Sequence, residues 1–426
     1  MVCQCRADEA FPTSAARPMI IDGGREARVL NVCVDHQPAH AGLYRGIQDF
    51  ARALRGGILS FDGAEVKHVA GPGTPAIRRI QAGRGWLARK VLTLESSAAG
   101  EADALAADAD LLVTHSLFRA HAPWARDWAL RYGRPYWVVP HGCLDPTGLA
   151  RRAAGKRLWL WRHGCRLFAE ARAMVFATRR ERDKAAAWTR KHCGPTGDAA
   201  RPVGVVVHWP VALPSLTDTH MARETFRRGH EIPENAPILL WVGRLHTTKR
   251  PLQAIRAFAA SAAGTSHLVI VGMDENLTRV GLQAEVPPAV AGRVHLVGEL
   301  QGAALAEAWL AADGYISLSA KENFGYATAD ALAHGLPVIL SPGHDLAYEL
   351  PGADRGRLDC GWLLPDDSLQ SAVDAIGEWS ALVTIPGGTP RRLLGLRETG
   401  RIWAADNLSF EQFLAALERL AMLSIG

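Results

Sequence analysis

The chain has 426 residues, 48% of them hydrophobic, and carries 48 Lys and Arg against 43 Asp and Glu, a formal net charge of +5. That length exceeds what one hydrophobic core usually fills, so two domains are expected, and the mild basic excess suits a phosphate-bearing ligand or an anionic surface, with no basic block of the kind a nucleic-acid arm carries. No stretch reaches the ~18 continuous apolar residues of a membrane span, residues 1–27 carry charges and prolines where a signal peptide needs an apolar run, and the seven scattered cysteines (3, 5, 33, 143, 165, 193, 360) form no CxxC pair and no zinc-spaced set, which together predict a cytoplasmic protein with reduced thiols.

In chain order, short apolar β-rich runs alternate with helix-length stretches: "RVLNVCVD" (28–35), "LLVTH" (111–115), "YWVVPH" (136–141), "AMVFAT" (173–178) and "VGVVVH" (203–208). Such alternation predicts a parallel sheet covered by helices. A Pro-punctuated link, "HWPVALPSLT" (208–217), precedes a second set: "ILLWVG" (238–243), "LVIVG" (268–272), "VHLVG" (294–298), "GYISLS" (314–319) and "PVILS" (337–341). The expected class is α/β, with two doubly wound domains over 28–207 and 208–407, and an amphipathic helix within 408–426 packing back on the first domain. Ligands of such sheets bind beyond the carboxyl ends of the strands, which for two domains in series implies a cleft.

The loops after strands therefore carry the chemistry. No G-x-G-x-x-G follows a strand and "GKR" (155–157) lacks the rest of a P-loop, which demotes dehydrogenases and P-loop NTPases. After 238–242 come Gly243, Arg244 and, five positions on, Lys249, a planar fork and a point charge suited to clamping a diphosphate. After 314–318 comes "SAKENFGYATADALAHGLP", in which Tyr326 to His334 reads as a helix stopped by Gly335 and Pro337. Glu322 then precedes that helix and Asp330 lies in it, roughly 7 to 8 Å of rise beyond Gly325, so both acids could reach along one extended polar ligand, beside N–H groups that favour an anion. A capping box, Ser319-x-x-Glu322, is the competing reading. Asp108-Ala-Asp110 precedes a strand instead of following it, which predicts a solvated turn and no metal site.

"WVGRLHTTKRP", "LVIVG", "VHLVGEL", "SLSAKENFGYATADALAHGLPVI" and "VVPHGCLDP" together resemble glycosyltransferase family 4, whose members are retaining, nucleotide-sugar-dependent and of GT-B fold, two Rossmann-like domains facing across a cleft. The resemblance covers most of 28–424. It implies that Arg244 and Lys249 bind the donor diphosphate and stabilise the departing charge. Glu322 would be the first acid of the E-x7-E motif, holding donor-sugar hydroxyls beside the Asn323-Phe324-Gly325 backbone. Asp330 stands where the family has a second Glu, which holds the ribose. His115 matches a histidine that faces the reaction centre, and His141 the histidine of the "PHG" loop on the acceptor side. Gly42 matches the glycine-rich loop near the donor phosphates, whose usual Gly-Gly reads Ala41-Gly42 here. No cofactor beyond the nucleotide-sugar co-substrate is implied, and no metal, since cations and a helix start can stabilise the leaving phosphate. The implied activity is transfer of a hexose to a hydroxyl of a glycan or lipid-linked acceptor in cell-surface polysaccharide synthesis. The alternative is an inactive relative serving as a subunit or sugar-nucleotide binding module; a phosphorylase would need a cofactor-lysine context that is not found.

Residues 149–172, "LARRAAGKRLWLWRHGCRLFAEAR", combine Arg151, Arg152, Lys156, Arg157, Arg162 and Arg166 with Trp159, Trp161 and several Leu. They read either as a helix packed on its own sheet with a solvated basic face or as one that also contacts an anionic membrane at its cytoplasmic face.

Overall fold

A computed structural model describes residues 20, 25–34, 41–61, 77–82, 84, 93–150, 152–193, 203–215, 219–261, 263–384 and 390–425. Cys3, Cys5, Arg151 and the end of the 208–217 link lie outside these residues. The described residues divide into two compact units: Val211–Ser409, and those from Ile20 to Pro210 together with the segment from Phe410 onward.

The N-terminal unit holds β1 (Val29–Cys33), β2 (Gly57–Ser60), β3 (Ile77–Arg79), β4 (Leu111–His115), β5 (Tyr136–Val139), β6 (Ala173–Phe176) and β7 (Val203–Val206). They form one parallel sheet in the order β3-β2-β1-β4-β5-β6-β7. The C-terminal unit holds β8 (Ile238–Val242), β9 (His267–Val271), β10 (Val294–Gly298), β11 (Gly314–Ser317), β12 (Val338–Leu340) and β13 (Gly361–Leu363), also all parallel, in the order β10-β9-β8-β11-β12-β13. In each sheet the direction of winding reverses once, between β1 and β4 and between β8 and β11. Those two crevices are where doubly wound sheets take ligands.

Every residue of β1, β4, β5 and β11 is buried, as both-face helical cover demands. The first core gathers Val32, Leu112, Trp128, Val138 and Phe168; the second gathers Leu239, Trp241, Phe258, Ile316, Ile339 and Trp379. β2, β3 and β13 are absent from the sequence-level expectation. "GILS", "IRR" and "GWL" are three or four residues long and two of them begin with Gly, so only pairing with a neighbour makes them strands. The helix Phe410–Ile425 belongs to the N-terminal unit: Phe413 meets Phe50 edge-on at 5.2 Å, and Trp137 Nε1–H donates to Ser424 Oγ at 2.9 Å.

One expectation is corrected. Cys165 and Cys193 are joined as a disulfide, linking the start of the helix Cys165–Glu170 to the residue after the helix Arg179–His192. Their 28-residue separation matches no local motif, so only the fold brings them together. Among the described residues Cys360 is a free, buried thiol. Asp108 and Asp110 sit in the turn before β4, but only Asp108 is solvated as expected; Asp110 is buried, accepting from Arg25 at 2.6 and 2.8 Å and from the Arg28 N–H at 2.9 Å. The Arg25 hydrogen bond holds the Asp110 carboxyl below its ordinary value. Among the described residues no helix is long and apolar enough to cross a membrane.

β11 is positioned by a carboxylate at its amino end. Asp313 accepts from the Ile238 N–H at 2.9 Å and from Arg223 at 2.8 and 3.0 Å, with Arg227 at 3.2 Å and Arg397 at 3.5 Å. Arg227 is itself buried, which pushes its guanidinium down to about 10. Asp313→Ala strands these cations and should destabilise the C-terminal unit by about 3–5 kcal/mol. Urea unfolding followed domain by domain checks this: the C-terminal transition should move to lower urea while the N-terminal one stays, and an unchanged profile would contradict the anchoring role.

Candidate active site

The C-terminal site begins in the loop after β8. Gly243 N–H donates to Val271 O at 3.0 Å and Leu245 N–H to Met273 O at 2.8 Å, so the loop runs along the one that follows β9. Gly272 permits this approach, since a Cβ there would lie 1.7 Å from the Gly243 carbonyl oxygen. Asn276 fastens the same loops, its Oδ1 accepting the Thr247 N–H at 3.0 Å. The Ala320 N–H donates to Thr248 O at 2.9 Å and so ties the β8 loop to the β11 loop. Lys249, half-buried, thereby reaches Glu322, and its Nζ donates to Glu322 Oε2. Arg244 is more exposed and donates to Glu275 Oε1 at 2.5 Å.

Glu322 is held by its backbone as well. Its N–H donates to Gly343 O at 2.9 Å and its carbonyl accepts from the Asp345 N–H at 2.8 Å, forming a bridge with the loop after β12. Burial alone would raise its carboxyl. The charge and hydrogen bond of Lys249 act against that, with Arg244 adding to them, and the pKa lies below the ordinary carboxylate value, so Glu322 is charged.

The helix after it spans Tyr326–Ala333 and is capped by Gly325, whose φ of 78° no β-carbon favours and where a Cβ would meet Glu322 Cγ at 2.8 Å. No side chain caps this helix, and Ser319 is fully buried with its Oγ 3.4 Å from Ser317 Oγ. The capping-box reading of Ser319 and Glu322 is thereby set aside. Phe324 is buried edge-on against Tyr326 at 5.2 Å, and Asn323 has a buried Oδ1 with no hydrogen-bond partner among the described residues. Asp330 lies one turn into the helix, half-buried. The C-terminal unit thus assembles Gly243, Arg244, Lys249, Glu322, Asn323, Phe324, Gly325 and Asp330 around the β8/β11 crevice. Sequence reasoning missed Glu275 and His344; both stand in loops after strands, the rule that found the others.

The remaining candidates belong to the N-terminal unit. His115 ends β4 and is wholly buried. Asn31 Nδ2 donates to Gly57 O at 3.2 Å, leaving Oδ1 to accept from His115 Nε2–H at 3.0 Å. His115 Nδ1 is then the acceptor for His141 Nε2–H, at 3.0 Å. Both ring nitrogens of His115 are thus engaged, one of them orienting His141. His141 is half-buried, has φ 49°, and is pushed down to about 3 by burial, so it is neutral. Its loop is pinned by the buried Glu181, which accepts from the Gly142 N–H at 2.6 Å and the Ala177 N–H at 2.8 Å. Asn31 and Glu181 carry no sequence signal of their own. Gly42 is exposed in the first turn of the helix Ala41–Ala53, not in a loop, and the connection before it, residues 35–40, lies outside the described residues. Among the described residues no group of three or more His, Cys, Asp or Glu side chains is placed to hold a metal ion.

Residues 222–382 match the family described as glycosyl transferases group 1. A GDP-mannose-dependent alpha-mannosyltransferase of Mycolicibacterium smegmatis is 36% identical over 127 residues, 30% of this chain and 30% of that protein; its counterpart in Mycobacterium tuberculosis is 36% identical over 118 residues, 28% and 29% of the two chains. The match therefore spans less than a third of these curated relatives. Among solved structures, Anabaena Alr3699/HepE in complex with UDP and glucose superposes with a TM-score of 0.69 at 14% identity, covering 93% of this chain and all of that one. The glycosyltransferase WaaG, involved in lipopolysaccharide biosynthesis, gives 0.61 at 16% identity, covering 91% and 98%. At such identities the likeness is one of fold, and the fold is GT-B: two parallel-sheet α/β domains in series.

Proposed function

We propose that the chain is a retaining hexosyltransferase of glycosyltransferase family 4, moving a hexose from a nucleoside-diphosphate sugar to a hydroxyl of a glycan or lipid-linked acceptor in cell-surface polysaccharide synthesis. The observation that carries this is the cation pair Arg244 and Lys249, each tied to a carboxylate, at the sheet crevice beside a helix that starts on Gly325. A diphosphate entering there replaces Glu275 and Glu322 as the partner of these cations. As the sugar leaves, negative charge grows on the phosphate, and preorganised cations with a helix N-terminus stabilise it most when it is largest.

In this reading Glu322 and the Asn323-Phe324-Gly325 backbone hold the sugar, Asp330 the ribose, and Gly243 admits the phosphates. The acceptor oxygen bonds to the anomeric carbon on the face from which the phosphate oxygen departs, and its proton passes to that phosphate. No protein nucleophile and no metal is used. His141, oriented by His115, is the acceptor-side candidate. GDP-mannose is the first donor to test, given the relatives' specificity. An inactive binding module is the weaker reading, because Arg244, Lys249 and Glu322 stand together here with none of them lost.

Contact with an anionic membrane is proposed through the helical stretch Ala153–Glu170. Leu158 and Trp161 are 64% and 77% exposed among the exposed Arg157, Arg162 and Arg166, while Leu160, Leu167 and Phe168 pack inward. Such a face suits an interfacial helix.

Three outcomes test these proposals. Lys249→Ala should lower kcat by about 10²- to 10³-fold while changing the affinity for free GDP far less; near-normal turnover would remove Lys249 from the charge clamp. Excess chelator should leave transfer from GDP-mannose intact, whereas loss restored by a divalent ion would require a metal. The protein should sediment with anionic vesicles, less as salt rises and less for Trp161→Ala; equal partitioning to neutral vesicles, or none to either, would restore the purely packed helix.

A further inference from the structure

His344 lies in the loop after β12, 1% exposed, and pairs with Glu322 in a backbone bridge. Neither ring nitrogen makes a hydrogen bond among the described residues. A buried imidazole without partners is costly and asks for a role. Two charged side chains act on it: Glu322, from the loop after β11, favours its protonated form, and Lys249, from the loop after β8, opposes it. The Ser317 carbonyl of β11 is near enough to favour the charged form as well, without a well-formed hydrogen bond. With Lys249 on Glu322, the ring is neutral, pushed down to about 4 chiefly by burial.

The donor reading above changes this balance. A diphosphate that draws Lys249 away leaves Glu322 a largely buried carboxylate facing neutral sugar hydroxyls, and it also takes from His344 a cation that opposes its protonation while Glu322 still favours it. We propose that His344 is a positioning residue for Glu322: when the donor recruits Lys249, His344 takes up one proton from solution and holds the Glu322 carboxylate in its place. The proton count is then simple, with one proton entering per donor bound and leaving when Lys249 returns.

The sign follows from linkage. A group whose pKa rises on binding takes up protons between its free and bound values, so donor affinity increases as pH falls through that window, by up to about tenfold per pH unit, and the uptake vanishes above the bound value. Titration calorimetry of the full chain with GDP-mannose, and with UDP-glucose as a second probe, in buffers of different ionisation enthalpy reads the count directly. Nucleotide sugars are chosen because their phosphates do not titrate near neutrality. Near pH 6 the wild type should take up on the order of one proton, and His344→Gln none. Coincident heats in all buffers for the wild type overturn the proposal, even if His344→Gln fails to fold, as does undiminished uptake in a folded His344→Gln. A chain that binds neither probe overturns the donor-site reading itself, and this inference with it; binding without proton uptake overturns only the inference.

Discussion

A charged carboxylate in the wall of an α/β domain needs a cation, and in the C-terminal domain that need is met by Lys249 at Glu322. The pair spans the crevice between β8 and β11, where the winding of the sheet reverses. Much else serves it. Gly272 lets the loops after β8 and β9 touch, Asn276 and the Thr248–Ala320 hydrogen bond fix the path of the chain to Lys249, and Gly325 clears the space beside the Glu322 side chain. At the other end of β11, Asp313 sets the height of the strand whose following loop carries Glu322. In the proposed reaction a diphosphate would compete for a cation that Glu322 already holds in place, which leaves little reorganisation for the reaction itself.

The N-terminal domain solves a different problem, the presentation of one neutral imidazole. A chain of hydrogen bonds from the Gly57 carbonyl through Asn31 and His115 fixes which nitrogen of His141 carries the proton, and Glu181 fixes the loop it stands on. Polar groups buried in this way are stable only when every member is satisfied, and the same requirement makes them rigid.

Most of the fold is legible in the sequence because buried parallel strands need continuous apolar runs, and "LLVTH", "ILLWV" and "GYIS" are such runs. Arg244, Lys249 and Glu322 are legible because the carboxyl ends of strands are where such sheets act. What is not legible depends on contacts distant in sequence. The Cys165–Cys193 bond, the Arg244–Glu275 pair and the bridge between Glu322 and His344 join residues whose spacing follows no local rule. His115 is another case: its hydrogen-bond partners Asn31 and His141 come from two other segments, so nothing near it in sequence shows them. Ser319 and Glu322 satisfy the spacing of a capping box, yet the helix starts four residues after Glu322, at Tyr326, with Gly325 as its cap and no cap from either side chain.

The central claim is that Lys249 leaves Glu322 for the donor diphosphate. A crystal structure of the chain with an intact nucleotide sugar measures it most directly. The account predicts Lys249 Nζ and the Arg244 guanidinium within hydrogen-bond distance of diphosphate oxygens, with Glu322 on the sugar hydroxyls. A diphosphate bound elsewhere, with Lys249 still donating to Glu322, would contradict it.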